Sequence, residues 1–292
     1  MSKTASLVLS SGGARGLAHI GVIEELEKLN YKIKTISGSS IGAIIGGIYA
    51  TGHLQEFKEW ISNLDKLDVF KLMDFTMNPT GFIKGDKVFN EIQSFIPDVN
   101  IEDLPIEYKA IATDLINQKT VIFDSGSLFE AIRCSSAIPT IIQPRYLSDK
   151  ILIDGGVLNP IPINTIEKGK NDLLVVVNLN AKQKEMPVSM QTEEQKIEDN
   201  IINTKVEAFK QKWYKLFPQK NTQSKKIGFL DLVNRSFDLM QDTLAENIMN
   251  SHTPDVLVNI PRNACGTFDF YKAKQLINMG KEYFKLSFPA KS

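Results

Sequence analysis

The chain opens with two units of the same kind, and this leaves few folds available to it. Each is a short apolar run, a glycine turn and a helical pattern. The first unit starts with "ASLVLS" (5–10) and turns at the glycines of "SSGGARG" (10–16). From Leu17 to Leu29 apolar residues then recur at three- and four-residue spacing through Ile20, Ile23 and Leu26, with Glu24, Glu25, Glu27 and Lys28 outward. The second unit is the strand "YKIKTIS" (31–37), then "GSSIG" (38–42) running into "AIIGGIYATG". That last segment is apolar on all sides and rich in small residues, as suits a helix packed closely inside a fold. Strand, helix, strand, helix requires a parallel sheet with helical crossovers.

The rest of the chain fits that start. Residues 54–103 read as mainly helical, broken at "NPTG". "EYKAIATDL" and "KTVIFDSG" are strands joined by a turn at Asn117–Gln118, and a helix covers Leu128 to Cys134. "RYLSDKILIDGG" reads as a hairpin, and "DLLVVVNLNA" as a central parallel strand. A long helix from about Phe229 to Met249, a strand "PDVLVNIP" and a helix from Tyr271 to Phe284 close the chain. The expected fold is α/β, a mostly parallel central sheet flanked by helices on both faces. It forms one domain over 1–292, with a polar, lysine-rich helical excursion at about 182–225 and no internal repeat.

Charge and cysteine content exclude some functions. Lysine plus arginine number 34, as do aspartate plus glutamate, so the chain lacks the basic surplus of a nucleic-acid binder. Cys134 and Cys265 lie far apart, with no metal-ligand spacing and no disulfide framework, and read as reduced thiols. The N-terminus carries no basic n-region of a signal peptide. The most apolar stretch, Ile41 to Ala50, is shorter than the ~20 residues of a membrane span. The cytoplasm is the expected compartment, with peripheral contact at membranes.

Gly38, Ser40 and Gly42 form a G-x-S-x-G between a strand and a helix. There the glycines permit a sharp turn, and the serine stands at a helix N-terminus that favours a developing anion. The plainer reading is a helix start capped by Ser39 or Ser40. "SSGGARG" fails as a dinucleotide fingerprint, because Ser11 replaces the first glycine and no acidic residue occurs between Glu27 and Glu56. It also lacks the G-K-[ST] of a P-loop. Two readings stay open: an oxyanion hole built from the N–H groups of Gly13, Ala14 and Arg15, or a tight turn that packs helix on strand.

A serine nucleophile needs a base. His19 lies in the first helix, and His53 follows Gly52 at a C-terminal cap position of the second helical segment. His252 is the triad candidate, since Ser40, Asp154, His252 follow the α/β-hydrolase order. However, the serine comes too early, and a strand follows the histidine. Asp154 ends the apolar "ILID" before Gly155 and Gly156. A free aspartate, pKa near ~3.9, is a poor base at neutral pH, and partial burial makes it a better one. The alternative is an Asp-Gly turn without chemistry.

Together these segments resemble the patatin-like phospholipase family. "LVLSSGGARGLAHIGVIEEL" is similar to its glycine-rich oxyanion segment, "GSSIG" to its nucleophile elbow, "SSAIP" to its serine-proline segment and "DGG" to its Asp-Gly-Gly/Ala motif. The order and spacing agree, and the match covers most of the chain. The resemblance implies a three-layer sandwich and a Ser–Asp dyad without histidine. Ser40 is then the nucleophile, Asp154 the base, and Gly12, Gly13, Ala14 and Arg15 the oxyanion hole. Gly16, Gly38, Gly42, Gly155 and Gly156 support the turns. It further implies acyl transfer on fatty-acyl ester lipids, with no metal or cofactor. One departure is Ser11, where the family usually has the first of three glycines. A lipid- or partner-binding module that has lost turnover, and a His252-dependent esterase, are the rival readings.

Two further expectations concern single segments. Arg15 sits where the glycine loop becomes a helix, and is expected to brace the loop rather than bind a phosphate. On a helix over 197–217, Ile202, Val206, Phe209, Trp213 and Leu216 share one side, which suits a docked amphipathic helix or a lid that touches a bilayer.

Overall fold

The computed structural model describes residues 3–76, 81–169, 172–182 and 228–288. The strands, in chain order, are β1 (Lys3–Leu9), β2 (Tyr31–Ser39), β3 (Gly81–Ile83), β4 (Glu107–Asp114), β5 (Lys119–Phe123), β6 (Thr140–Ile142), β7 (Arg145–Leu147), β8 (Lys150–Asp154), β9 (Asp172–Ala181) and β10 (Val256–Pro261). The α-helices are α1 (Ala18–Lys28), α2 (Ile41–Ala50), α3 (Leu54–Ser62), α4 (Lys66–Leu72), α5 (Asp86–Gln93), α6 (Leu128–Ser135), α7 (Phe229–Asn250) and α8 (Ala273–Ser287). Helical patterns expected at 17–29, 229–249 and 271–284 therefore appear with ends shifted by a few residues. The lysine-rich excursion, apart from Lys182, and the amphipathic pattern at 197–217 lie outside the described residues.

The main sheet runs β10-β9-β1-β2-β4-β8-β7, with β5 also on β4. From β10 to β4 every neighbour is parallel, while β5, β8 and β7 join antiparallel. Alternation along the strands builds three layers. Leu7, Leu9, Val175, Val177, Val256 and Val258 point into one core with α1, α2 and α8. Val8, Val176 and Leu257 point the other way, onto Ile161, Ile163 and the α7 residues Ala245, Ile248 and Met249. Burying each large side chain such as Leu7, Ile36 or Ile45 contributes roughly 1.5–3 kcal/mol. The expected fold class holds: a mostly parallel sheet between helical layers. Glu24 and Glu25, both expected outward, are not: Glu25 is buried, and Glu24 lies between Lys58 (2.5 Å) and Lys281 (2.6 Å), because α8 packs across α1.

The register of β4 sets up the site. β2 pairs with residues 107–111 of β4, β8 with 112–114, and β5 with 110–114. Since β5 shares positions with both of the others, it must occupy the opposite edge. β2 and β8 therefore lie on the same edge of β4, running toward each other and meeting end to end between Ile111 and Ala112. β2 finishes at Ser39 and β8 at Asp154, so Ser40 and Asp154 arrive at one seam. Among the described residues no helix is long and apolar enough to cross a membrane.

Candidate active site

Ser40 forms the turn between β2 and α2. Its backbone has φ 57° and ψ −124°, a left-handed conformation for a residue with a Cβ, which costs of the order of 1–3 kcal/mol. Close packing around the elbow sustains it. At Gly42 an added Cβ would lie 2.1 Å from the Leu9 carbonyl oxygen, so only glycine lets α2 rest on β1 here. The Ser40 carbonyl accepts the first helical N–H groups, from Ala43 (2.9 Å) and Ile44 (3.1 Å). Its side chain makes no capping bond, which leaves the hydroxyl for another partner.

That partner is Asp154. Ser40 Oγ donates to Asp154 Oδ2 at 2.5 Å, and the Gly156 N–H donates to Asp154 Oδ1 at 2.7 Å. Both side chains are buried. Burial pushes the Asp154 carboxyl up to about 7 and outweighs the two hydrogen bonds, which pull it down. The carboxyl thus titrates close to neutrality, where a base can both hold and release a proton.

The glycine loop lies beside this pair. Among the described residues the Gly12 and Gly13 amides donate to no protein acceptor, and both residues line the same recess as Ser40 and Asp154. The Ala14 N–H, by contrast, already donates to Thr267 O at 2.9 Å. The loop is held from behind by the end of β9. Arg15 Nε donates to Leu179 O (3.1 Å), Asn180 Nδ2 to Ser11 O (3.0 Å) and the Leu179 N–H to Ser10 Oγ (2.9 Å). Arg15 Nη1 also reaches Cys265 O at 3.4 Å. Burial first, and Arg262 second, lower the Arg15 guanidinium to about 10, so it is still a cation at neutral pH. Ser11, the departure from the glycine pattern, sends its N–H to Pro160 O (2.9 Å). Its hydroxyl accepts a long contact from Gln241 Nε2 of α7 at 3.5 Å, and the residue lines the same recess as Ser40 and Asp154.

None of the three histidines hydrogen-bonds to Ser40 or Asp154 among the described residues. His19 is fully buried, with Nε2 3.0 Å from Ser10 O; a carbonyl only accepts, so Nε2 carries the hydrogen. Burial drives its pKa down to about 4, so the ring is neutral. His53 stands at the expected C-terminal cap position of α2: after the left-handed Gly52 (φ 82°), its N–H donates to Ile48 O at 3.3 Å and the Gly52 N–H to Tyr49 O at 2.9 Å. That helix closes at Thr51, and His53 is also the N-cap residue of α3 with Nδ1 3.2 Å from Thr51 Oγ1. His252 Nδ1 donates to Ile248 O at 2.8 Å, just past α7. Cys134 and Cys265 form no disulfide, and burial raises their thiols to about 12 and about 11. Among the described residues no group of three His, Cys, Asp or Glu is placed to hold a metal ion.

Two cavities meet at Ser40. One is an apolar cleft of about 960 Å³, counted to its open mouth, walled by Ile44, Phe57, Ile61, Val69, Phe89 and Ile142 among others. The second is a more polar recess lined by Gly12, Arg15, Asp154, Asn234, Asp238 and Gln241, three of them from α7. Neither cavity is legible in local sequence pattern, because their walls come from elements distant along the chain.

Fold and geometry define a serine–carboxylate site on an α/β sheet. A family model described as patatin-like phospholipase matches residues 7–166. An uncharacterized NTE family protein of Mycobacterium tuberculosis is 31% identical over an alignment covering 96% of this chain and 90% of its own length. Lysophospholipase NTE1 of Debaryomyces hansenii is 28% identical across 64% of this chain, which is 12% of the yeast protein. Among solved structures, VipD from Legionella pneumophila superposes with a TM-score of 0.44 at 13% identity, over 96% of this chain and 67% of VipD. The chain belongs to the patatin-like phospholipase family.

Proposed function

We propose that this protein is a lipid acyl hydrolase in which Ser40 is the nucleophile and Asp154 the general base. The observation that carries the reading is the 2.5 Å bond from Ser40 Oγ to a buried carboxylate, at the junction of an apolar cleft and a polar recess. The cleft receives the acyl chain and the recess receives the leaving alcohol. Asp154 takes the Ser40 proton as Oγ attacks the ester carbonyl carbon. The oxyanion rests on the Gly12 and Gly13 amides, with Ala14 and Arg15 shaping the loop around them. When the tetrahedral adduct collapses, the alcohol leaves with the proton held by Asp154. Water, deprotonated in turn by Asp154, then attacks the acyl-serine, releasing the fatty acid and restoring Ser40. Every step uses groups of the chain and water alone.

Fatty-acyl esters of phospholipids or neutral lipids are the substrate class. The name of the yeast relative makes lysophospholipids the first to test. Such substrates bring the protein to a membrane surface as a peripheral visitor.

A fluorophosphonate probe and a panel of lysophospholipid, diacyl phospholipid, triacylglycerol and short p-nitrophenyl esters test this. Ser40→Ala should lose labelling, and Ser40→Ala and Asp154→Asn should each lose at least ~10³-fold in kcat with the fold retained. Ile44→Trp, which fills the apolar cleft, should suppress long-chain esters while sparing acetate. A folded His53→Ala/His252→Ala double variant should stay within about twofold of wild type, on the physical ground that neither ring reaches the site. A folded wild type that is unlabelled and inert across the panel would make it a binding module. Strong loss in the histidine variant would return the base to a histidine.

A further inference from the structure

The dyad reading leaves one feature unused. β2 and β8 end at the same seam but are not paired to each other. Among the described residues no backbone hydrogen bond joins 38–41 to 153–156. Something else must fix the distance between Ser40 and Asp154.

The seam is bridged by the end of α6. The Ser40 N–H donates to Ser135 Oγ at 2.9 Å, and Ser135 Oγ donates to the Ile111 carbonyl at 2.5 Å. One hydroxyl thus stands between the elbow and β4, at the residue where β2 stops. Two residues on, the Ala137 carbonyl accepts the Asp154 N–H at 2.9 Å. The main-chain N–H groups of both dyad residues are therefore held by one three-residue stretch. Ser135 is fully buried, and its single hydrogen is committed to Ile111. Removing the hydroxyl would leave the Ser40 N–H without its partner at a residue already in a strained conformation.

We propose that Ser135–Ala137 is a positioning clip, with Ser135 the residue that holds the nucleophile elbow at bonding distance from Asp154. Ser135 touches no reacting atom; it acts through the Ser40 backbone. Its effect on turnover rests on the dyad reading above. Its effect on geometry does not, and the experiment separates the two.

Ser135→Ala is compared with wild type and with Ser6→Ala. Ser6 is equally buried on β1, but its hydroxyl has no hydrogen-bond partner among the described residues. On a short soluble ester, Ser135→Ala should lose ~10²-fold in kcat, the scale expected when reacting groups are misplaced by about 1 Å, with KM nearly unchanged. Ser6→Ala should match wild type. Ser135→Thr, which restores the hydroxyl, should recover most of the rate. The Asp154 carboxyl, followed by 13C NMR, should titrate at higher pH in Ser135→Ala, because the Ser40 hydroxyl that lowers it has moved away. Should Ser135→Ala not fold, Ser135→Cys keeps the volume but offers a poor acceptor, and should still lose at least ~10-fold in kcat.

A folded Ser135→Ala with wild-type kcat and an unmoved Asp154 titration overturns the clip. So does a loss of kcat that Ser135→Thr does not rescue and that leaves the titration in place, since that is a general packing defect. A wild type inert toward esters sinks the dyad reading instead, and the NMR titration still judges the clip.

Discussion

On the parallel side of the sheet, β1 is buried along all but its first residue, and helices cover both of its faces. On the antiparallel side, Ile122 of β5 is 45% exposed and Tyr146 of β7 is 67% exposed. The two reacting groups come from opposite sides of this divide. Ser40 emerges from the dense half, where close packing can sustain a strained elbow. Asp154 emerges from the more exposed hairpin side, at the end of a strand that α6 touches through Cys134 against Leu152 and that the Ala137 carbonyl anchors at the Asp154 N–H. Local over-determination thus positions the serine, whereas the aspartate depends on a seam with its neighbours. A strained conformation needs many neighbours to hold it, and a carboxylate needs only the right ladder register.

The largest effect expected from this contrast is in the dense half. Gly42→Ala drives a Cβ into the Leu9 carbonyl, and should cost on the order of 3 kcal/mol, read as a fall in the urea midpoint at unchanged slope. A loss below 1 kcal/mol would mean that the elbow is not held by packing.

The next effect belongs to Asp154. Its folded carboxyl, at about 7, lies above the ordinary 3.8. Between these values the native state binds the extra proton. The group's stabilisation is therefore complete below about 3.8 and is lost as pH rises through about 7. Asp154→Asn removes that loss, so its melting temperature should gain on wild type between about pH 4 and pH 8, by an amount equivalent to on the order of 1–3 kcal/mol. Activity should run the other way, with wild-type kcat/KM rising through an acid limb near neutrality. A stability difference that is flat with pH would place the carboxylate in contact with water.

The smallest effect is expected at Ser11. Among the described residues its hydroxyl makes only a long contact, to Gln241, so Ser11→Gly should change stability by less than ~1 kcal/mol and kcat by only a few-fold. A large gain in rate would show that Ser11 restrains the glycine loop after all.

Part of this protein could be read from local pattern alone. The strand–glycine–helix units each sit within about twenty-five residues, and the G-x-S-x-G and the Asp-Gly-Gly within a handful, and local steric rules govern them. The amphipathic periods likewise placed the helices within a few residues of their ends. Glu24 was misplaced because its partners Lys58 and Lys281 lie on other helices. Ser135 was visible only as part of a familiar segment. Its partner atoms, Ser40 N and Ile111 O, are 95 and 24 residues away. The sequence by itself determined which residues can form a nucleophile elbow and a carboxylate turn, because φ/ψ sterics and periodicity act between near neighbours. Only the tertiary structure decided that they meet, since the meeting depends on β2 and β8 sharing one edge of β4, and strand pairing is a long-range choice that no local pattern encodes.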